Sequence, residues 1–188
     1  MPRENKSRYA VLGMLSLEPM SGYDIKKKIH RGIGEFWSES FAQIYPILKQ
    51  LVEEGYAVCQ IEDQEGKPDR KVYSITEAGR DELMKWLSEP VTYYPLRIEL
   101  LLKLFFAHNA SPDVSIHHVE QFQKRMQDVL EEYKNVEERM VSAMKSRGNW
   151  LRYRLMTLRY GIYSVEAALK WCEETLQELN GIKSGKGV

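Results

Sequence analysis

Residues 40–61 read SFAQIYPILKQLVEEGYAVCQI, and within them the periodicity of the chain changes. From Ser40 to about Glu54 the apolar residues Phe41, Ile44, Leu48, Leu51 and Val52 share one face of a 3.6-residue repeat. This predicts a helix that ends on Gly55. From Tyr56 to Ile61 the apolar residues alternate, which predicts a strand. Pro46 interrupts the helical run near its start. A proline is tolerated in a first turn and disruptive later, so the helix is expected to begin somewhat irregularly.

The pattern extends in both directions. Upstream, Ser7 to Leu17 carries Val11, Leu12 and Leu15 at helical spacing and stops before Pro19. Ser21 is a good N-cap for a second helix with Ile25 and Ile29 inward and Gly32 and Gly34 at its end. Downstream, Gln64 to Asp69 is turn material and Lys71 to Ile75 a second alternating strand, so the two strands form a hairpin. Thr76 caps a further helix, with Ala78, Leu83, Trp86 and Leu87 expected inward and Pro90 as its stop. Three helices followed by a hairpin is the winged helix-turn-helix plan. The fold class is therefore mainly α with a small β-hairpin wing, and residues 1–90 are expected to form a DNA-binding domain.

Residues 91–188 have a different character. A short apolar helix, Ile98 to Ala107, precedes two long ones. The first starts at Ser111-Pro112 and is expected to reach about Arg147, with Val119, Phe122, Met126, Val129, Tyr133, Val136 and Met140 three and four apart. Gly148-Asn149 is expected to break the chain. The last helix carries Leu151, Leu155, Leu158, Ile162, Val165, Leu169, Cys172, Leu176 and Leu179 in an unbroken 4-3 alternation. A strict 3.5-residue repeat argues for coiled-coil packing. Leu155, Leu158, Ile162, Val165, Leu169 and Leu176 are accordingly expected to line the seam of that packing, with the last eight residues frayed.

Composition bounds the function. The chain has 188 residues, 43% hydrophobic and 29% charged. That is an ordinary globular balance, long enough to bury about 70% of its unfolded surface. Twenty-seven basic residues meet 27 acidic ones, so no overall field announces a polyanionic partner. The excess positive charge lies within residues 1–50, with Lys26, Lys27, Lys28 and Arg31 clustered. Cys59 and Cys172 read as two buried free thiols of a reducing compartment. Arg3, Lys6 and Arg8 precede an apolar run to Leu17, but Glu18-Pro19 stands where a signal-peptide cleavage site belongs. With no apolar stretch of membrane-spanning length, a cytoplasmic protein without a membrane partner is expected.

Several motifs follow one another in order: Tyr9-Ala-Val-Leu-Gly13, Pro19-Met-Ser-Gly-Tyr-Asp-Ile25, Phe36-Trp37, Gln43-Ile-Tyr-Pro-Ile-Leu48, Glu53-Glu-Gly55, Arg70 through Gly79, and Leu96 through Phe106. Together they resemble the PadR family of bacterial transcriptional regulators. The resemblance covers about the first 106 residues by motif and the rest by architecture. It implies a homodimeric repressor on a pseudo-palindromic double-stranded operator, released by a small-molecule effector that is aromatic or hydrophobic. It also implies a DNA-facing Tyr45-Pro46 pair and a helical C-terminal dimerisation domain, in which Leu155, Leu158, Ile162, Val165, Leu169 and Leu176 would pair partly between the subunits.

On that plan the third helix enters the major groove. Gln43, Gln50 and Glu39 point away from its apolar face, with Ser40 flanking. Gln43 is the best candidate for base readout, because an amide can bond adenine bidentately. Tyr45 lies nearer the core edge, able to pack or to reach a phosphate, and Lys49 can reach the backbone. Lys26 and Lys27 are candidate phosphate contacts, as are the hydroxyls of Ser21 and Tyr23 at the second helix's start. Lys67, Arg70 and Lys71 form a basic wing tip among Glu62, Asp63, Glu65 and Asp69. Glu35 and Glu39 either exclude wrong sequences or stand off the interface.

Catalysis is not expected. His30, His108, His117 and His118 lack metal-ligand spacing, and no phosphate loop, nucleophile elbow or carboxylate pair is present, so no cofactor or metal is called for. Trp86, Tyr93, Tyr94, Trp150, Tyr153 and Trp171 read as core and dimer packing, the alternative being a flat aromatic effector pocket near the hinge that Trp86, Tyr93 and Tyr94 bracket. The rival to a DNA reader is a winged-helix scaffold for protein contact.

Overall fold

A computed structural model of the chain describes residues 6–33, 36–37, 40–62, 70–92, 97–143 and 148–185. Gly34, Glu35, Glu39, the turn residues Gln64 to Asp69 with Lys67, and Tyr93 and Tyr94 lie outside them, as does Arg147. The chain divides into two compact units, Met1–Tyr93 and Tyr94–Val188.

The first unit comprises α1 (Ser7–Leu15), β1 (Met20–Ser21), α2 (Gly22–Gly32), α3 (Phe41–Glu53), β2 (Ala57–Glu62), β3 (Arg70–Ile75) and α4 (Glu77–Ser88). Its core joins Val11, Leu12 and Leu15 of α1, Ile25 and Ile29 of α2, and Ile44, Ile47, Leu48 and Leu51 of α3, all buried. The expected two-stranded hairpin is a three-stranded antiparallel sheet in the order β1-β3-β2. β1 is too short to show a period; Met20 and Ser21 pair with Tyr73 and Val72 because the chain crosses β3 on its way into α2.

α3 runs unbroken through Pro46, with no irregular start. Proline there deprives the Ala42 carbonyl of its N–H partner, but both residues are exposed, so the gap faces outward. The helix ends in a full Schellman motif. Gly55 adopts φ +77°, its N–H bonds the Val52 carbonyl, and the Tyr56 N–H bonds the Leu51 carbonyl. This end is then tied to α4. Thr76 donates from its backbone to the Tyr56 carbonyl and from its hydroxyl to the Gly55 carbonyl, while accepting the Gly79 N–H at 3.1 Å. Of the four inward residues expected on α4, Leu83 and Trp86 pack on the core, Trp86 stacked on Tyr9 at 4.6 Å. Ala78 and Leu87 are exposed, because the buried stripe of α4 is only as wide as Gly79, Leu83 and Trp86. Cys59 is also exposed: β2 is an edge strand on which Ala57 alone is buried.

The second unit holds α5 (Glu99–Phe105), a 3-10 turn (Ala107–Asn109), α6 (Pro112–Ala143) and α7 (Gly148–Lys183). Gly148 opens α7 rather than breaking the chain before it, and the helix runs to Lys183, into the stretch expected to fray. α6 and α7 form an antiparallel hairpin. Along it Val119 meets Cys172 and Leu179, Tyr133 meets Ile162 and Val165, and Met140 meets Leu151 and Leu155. Gly161 lets the Tyr133 ring in; a Cβ there would stand 2.8 Å from it.

The heptad seam is therefore closed from within the chain. Within the chain, Leu155, Leu158, Ile162, Val165, Leu169 and Leu176 all lie in clusters shared with residues of α6. The reason is that α6 carries its own matching three-four spacing and lies alongside. What α7 leaves exposed is its opposite face, where Tyr153, Met156, Tyr160 and Tyr163 are 63–71% accessible.

Gly79→Ala tests the α3–α4 tie. A Cβ at that position would stand 2.1 Å from the Tyr56 carbonyl oxygen. The substitution should cost about 3 kcal/mol, the upper end of overpacking penalties, and lower the urea midpoint at unchanged m-value.

Candidate nucleic-acid interface

Burial of Ile44, Ile47, Leu48 and Leu51 turns the other side of α3 outward. That side presents Ala42, Gln43, Tyr45, Pro46, Lys49 and Gln50, all exposed. Gln43 is already engaged: its Oε1 accepts the Ser40 backbone N–H at 2.9 Å and the Ser40 hydroxyl at 2.8 Å. Ser40-Phe-Ala-Gln43 thus has the spacing of a capping box. Lys49 lies 3.5 Å from Glu53, and Gln50 donates to Glu54 at 2.7 Å.

Tyr45 both packs and faces out. Its ring covers Gly22 so closely that a Cβ there would stand 2.8 Å from it, yet the residue remains 48% accessible. Gly22 is thus the seat of Tyr45 and fixes the approach of α2 to α3. Behind it lies Tyr73, whose phenol burial pushes above its ordinary value, with Cys59 and Tyr45 adding to the effect.

At the start of α2, the expected phosphate cradle, Ser21 is buried and both its donors are bonded to Asp24. Its backbone N–H donates to Asp24 Oδ2 at 3.3 Å and its hydroxyl to the same oxygen at 2.6 Å, while Ser21 Oγ accepts the Asp24 N–H at 3.2 Å. Ser21 and Asp24 thus close a reciprocal capping box at the start of α2. The Asp24 carboxyl is held below the ordinary value, by the Ser21 hydroxyl first and by Arg70 after it. Tyr23 and Lys27 stand exposed, Lys26 is half-buried, and Lys28 pairs with Glu18.

In the wing, Lys71 is exposed and Lys67 is outside the described residues. Arg70 points into carboxylates: Nη2 donates to Asp24 Oδ2 at 2.5 Å, and Nη1 lies 3.9 Å from Glu62, its register partner on β2. The structure seats Tyr45 of α3 over Gly22 at the start of α2 and leaves Gln43, Lys49, Tyr23 and Lys27 exposed. Ser21 and Arg70 are instead bonded to Asp24. The sequence reading passed over Asp24 and Gly22. Ser21-Gly-Tyr-Asp24 carried the capping-box signal for the first, whereas nothing local marks the second. Among the described residues, no group of His, Cys, Asp or Glu could hold a metal ion, and no helix is long and apolar enough to cross a membrane.

Comparison with known proteins supplies the relatives of this arrangement. Residues 11–85 match the model of the transcriptional regulator PadR-like family, and residues 96–180 match the virulence activator alpha C-terminal domain. The chain is 34% identical over 141 residues to the negative transcriptional regulator PadR of Bacillus subtilis, covering 72% of this chain and 76% of that one. The crystal structure of Bacillus subtilis PadR with operator DNA superposes with a TM-score of 0.85 at 26% identity, covering 94% of this chain and 99% of that one. The structure of the same regulator with p-coumaric acid does so at 0.74 and 26%, covering 92% and 98%. Matched in both of its units and along most of a named relative, the chain belongs to the PadR-like family of transcriptional regulators.

Proposed function

We propose that this chain is a cytoplasmic repressor that reads a pseudo-palindromic double-stranded operator as a homodimer and releases it when an aromatic or hydrophobic small molecule binds. Residues 1–90 would hold the DNA and residues 91–188 the partner subunit. The observation that carries the reading is the exposed polar face of α3, in a chain that resembles an operator-bound regulator over nearly its full length. The effector class follows from the relative seen with p-coumaric acid.

Within that interface Gln43 reads a base. Its Oε1, which holds Ser40 in the free chain, is one of the two amide atoms an adenine edge requires. Docking therefore exchanges an internal cap for an external contact. Ser40, Tyr45, Lys49, Tyr23, Lys26, Lys27, Lys67 and Lys71 supply the backbone contacts. The partner subunit is met through Tyr153, Met156, Tyr160 and Tyr163. An effector acts by favouring a dimer with a different separation of its two recognition helices.

A second reading, a winged-helix scaffold for protein contact, is favoured by the zero net charge and by the acidic residues around the wing. Titration against a labelled duplex from upstream of the protein's own gene, at two salt concentrations and with competitor, separates the two. Operator reading requires competitor-resistant binding that weakens steeply with salt; no binding at low salt would favour the scaffold. Lys49→Ala should weaken binding to all sequences alike and lower the salt slope by about one. Gln43→Ala should cost about 1–3 kcal/mol and relax specificity at one base pair per half-site. Tyr160→Glu should shift the sedimentation of the protein from dimer to monomer without loss of helicity.

A further inference from the structure

We propose that Asp24 and Arg70 form the brace that sets the angle of the wing against the recognition helix, and that they position the DNA-reading face without touching phosphate. The inference rests on the DNA-binding reading for its consequence, and on geometry alone for the brace.

One oxygen joins three elements. Asp24 Oδ2 receives the Ser21 backbone N–H, the Ser21 hydroxyl and the Arg70 guanidinium at 2.5 Å. Ser21 belongs to β1 and caps α2, Asp24 lies in the first turn of α2, and Arg70 opens β3. One residue past Ser21, the Tyr45 ring of α3 closes over Gly22. The wing is attached to the rest of its unit through the short β1–β3 pairing, the α3–β2 turn, the start of α4, and the burial of Ala57 and Tyr73 in the core. All of these act on the middle of β3 or on its Thr76 end. The charged bond from Arg70, at the far end of β3 from Thr76, fixes the end that those attachments leave least constrained. Glu62 on β2 takes the other side of the guanidinium, so both strands of the wing are held at one point.

The electrostatics agree. A carboxylate on a face that meets phosphate is repulsive unless compensated, and Arg70 compensates this one. An arginine that reached for phosphate instead would uncover Asp24 beside it.

The test uses the full-length protein, with Asp24→Asn, Asp24→Glu, Arg70→Ala and the Asp24→Asn/Arg70→Ala double variant. Asparagine keeps the cap and removes the charge; glutamate keeps both. Without DNA, the β2–β3 amides should exchange hydrogen faster in Asp24→Asn and Arg70→Ala, while α6 and α7 stay as in the wild type. With the duplex used above, both single variants and the double should lose the same roughly tenfold in affinity. That loss should fall on the operator and not on random-sequence duplex, at unchanged salt slope, and Asp24→Glu should restore it. A phosphate-contacting Arg70 makes the opposite pattern. Asp24→Asn would then bind all DNA more tightly, and Arg70→Ala would lower the salt slope by about one; that result overturns the proposal, as does wild-type exchange of the β3 amides in both single variants. If the wild type does not discriminate operator from random duplex, the DNA reading fails while the exchange measurement still decides the brace.

Discussion

Removing Ile44, Ile47, Leu48 and Leu51 from water together is the interaction on which the rest depends. At about 1.5–3 kcal/mol per side chain, the four contribute about 6–12 kcal/mol. An exposed ion pair such as Lys49–Glu53 contributes at most about 1 kcal/mol. The apolar face of α3 therefore decides its rotation, and the polar face follows. Gln43 and Lys49 look outward because leucine and isoleucine do not. The Schellman turn at Gly55 and the bonds from Thr76 then hold the end of α3 against α4.

Elements with chemical punctuation were legible in the sequence. Ser21, Gly55, Thr76 and Pro90 each mark a boundary by a mechanism confined to a few residues, and α2, α3 and α4 lie where those marks set them. β1 was not legible, because two residues have no period and Met20 becomes a strand residue only when Tyr73 lies opposite it. Alternation announced β2 as a strand but not as an edge, which is why Cys59 was expected inside and stands outside. Periodicity also gives the direction of a buried face and not its width, hence Ala78 and Leu87.

The candidate interface was legible in its outward residues and illegible in its supports. Helical angle alone turns Gln43 and Lys49 away from the core. The pairing of Arg70 with Asp24 spans 46 positions, and the seat of Tyr45 on Gly22 requires α2 and α3 to be already docked. The heptad seam shows the same limit. A 3.5-residue repeat states that another helix fills the seam, but not which one, and here α6 of the same chain does so.

That hairpin changes how assembly relates to folding. The longest apolar stripe of the chain is closed by α6 of the same chain, so it leaves water without the help of another copy. The outer face of α7 carries Tyr153, Tyr160 and Tyr163, side chains with an apolar body and a polar tip that suit either water or a partner. Subunits joined there could part and rejoin without unfolding, so the supply of paired chains would follow protein concentration by ordinary mass action. Cellular abundance would then enter the response of the regulated gene more steeply than in proportion.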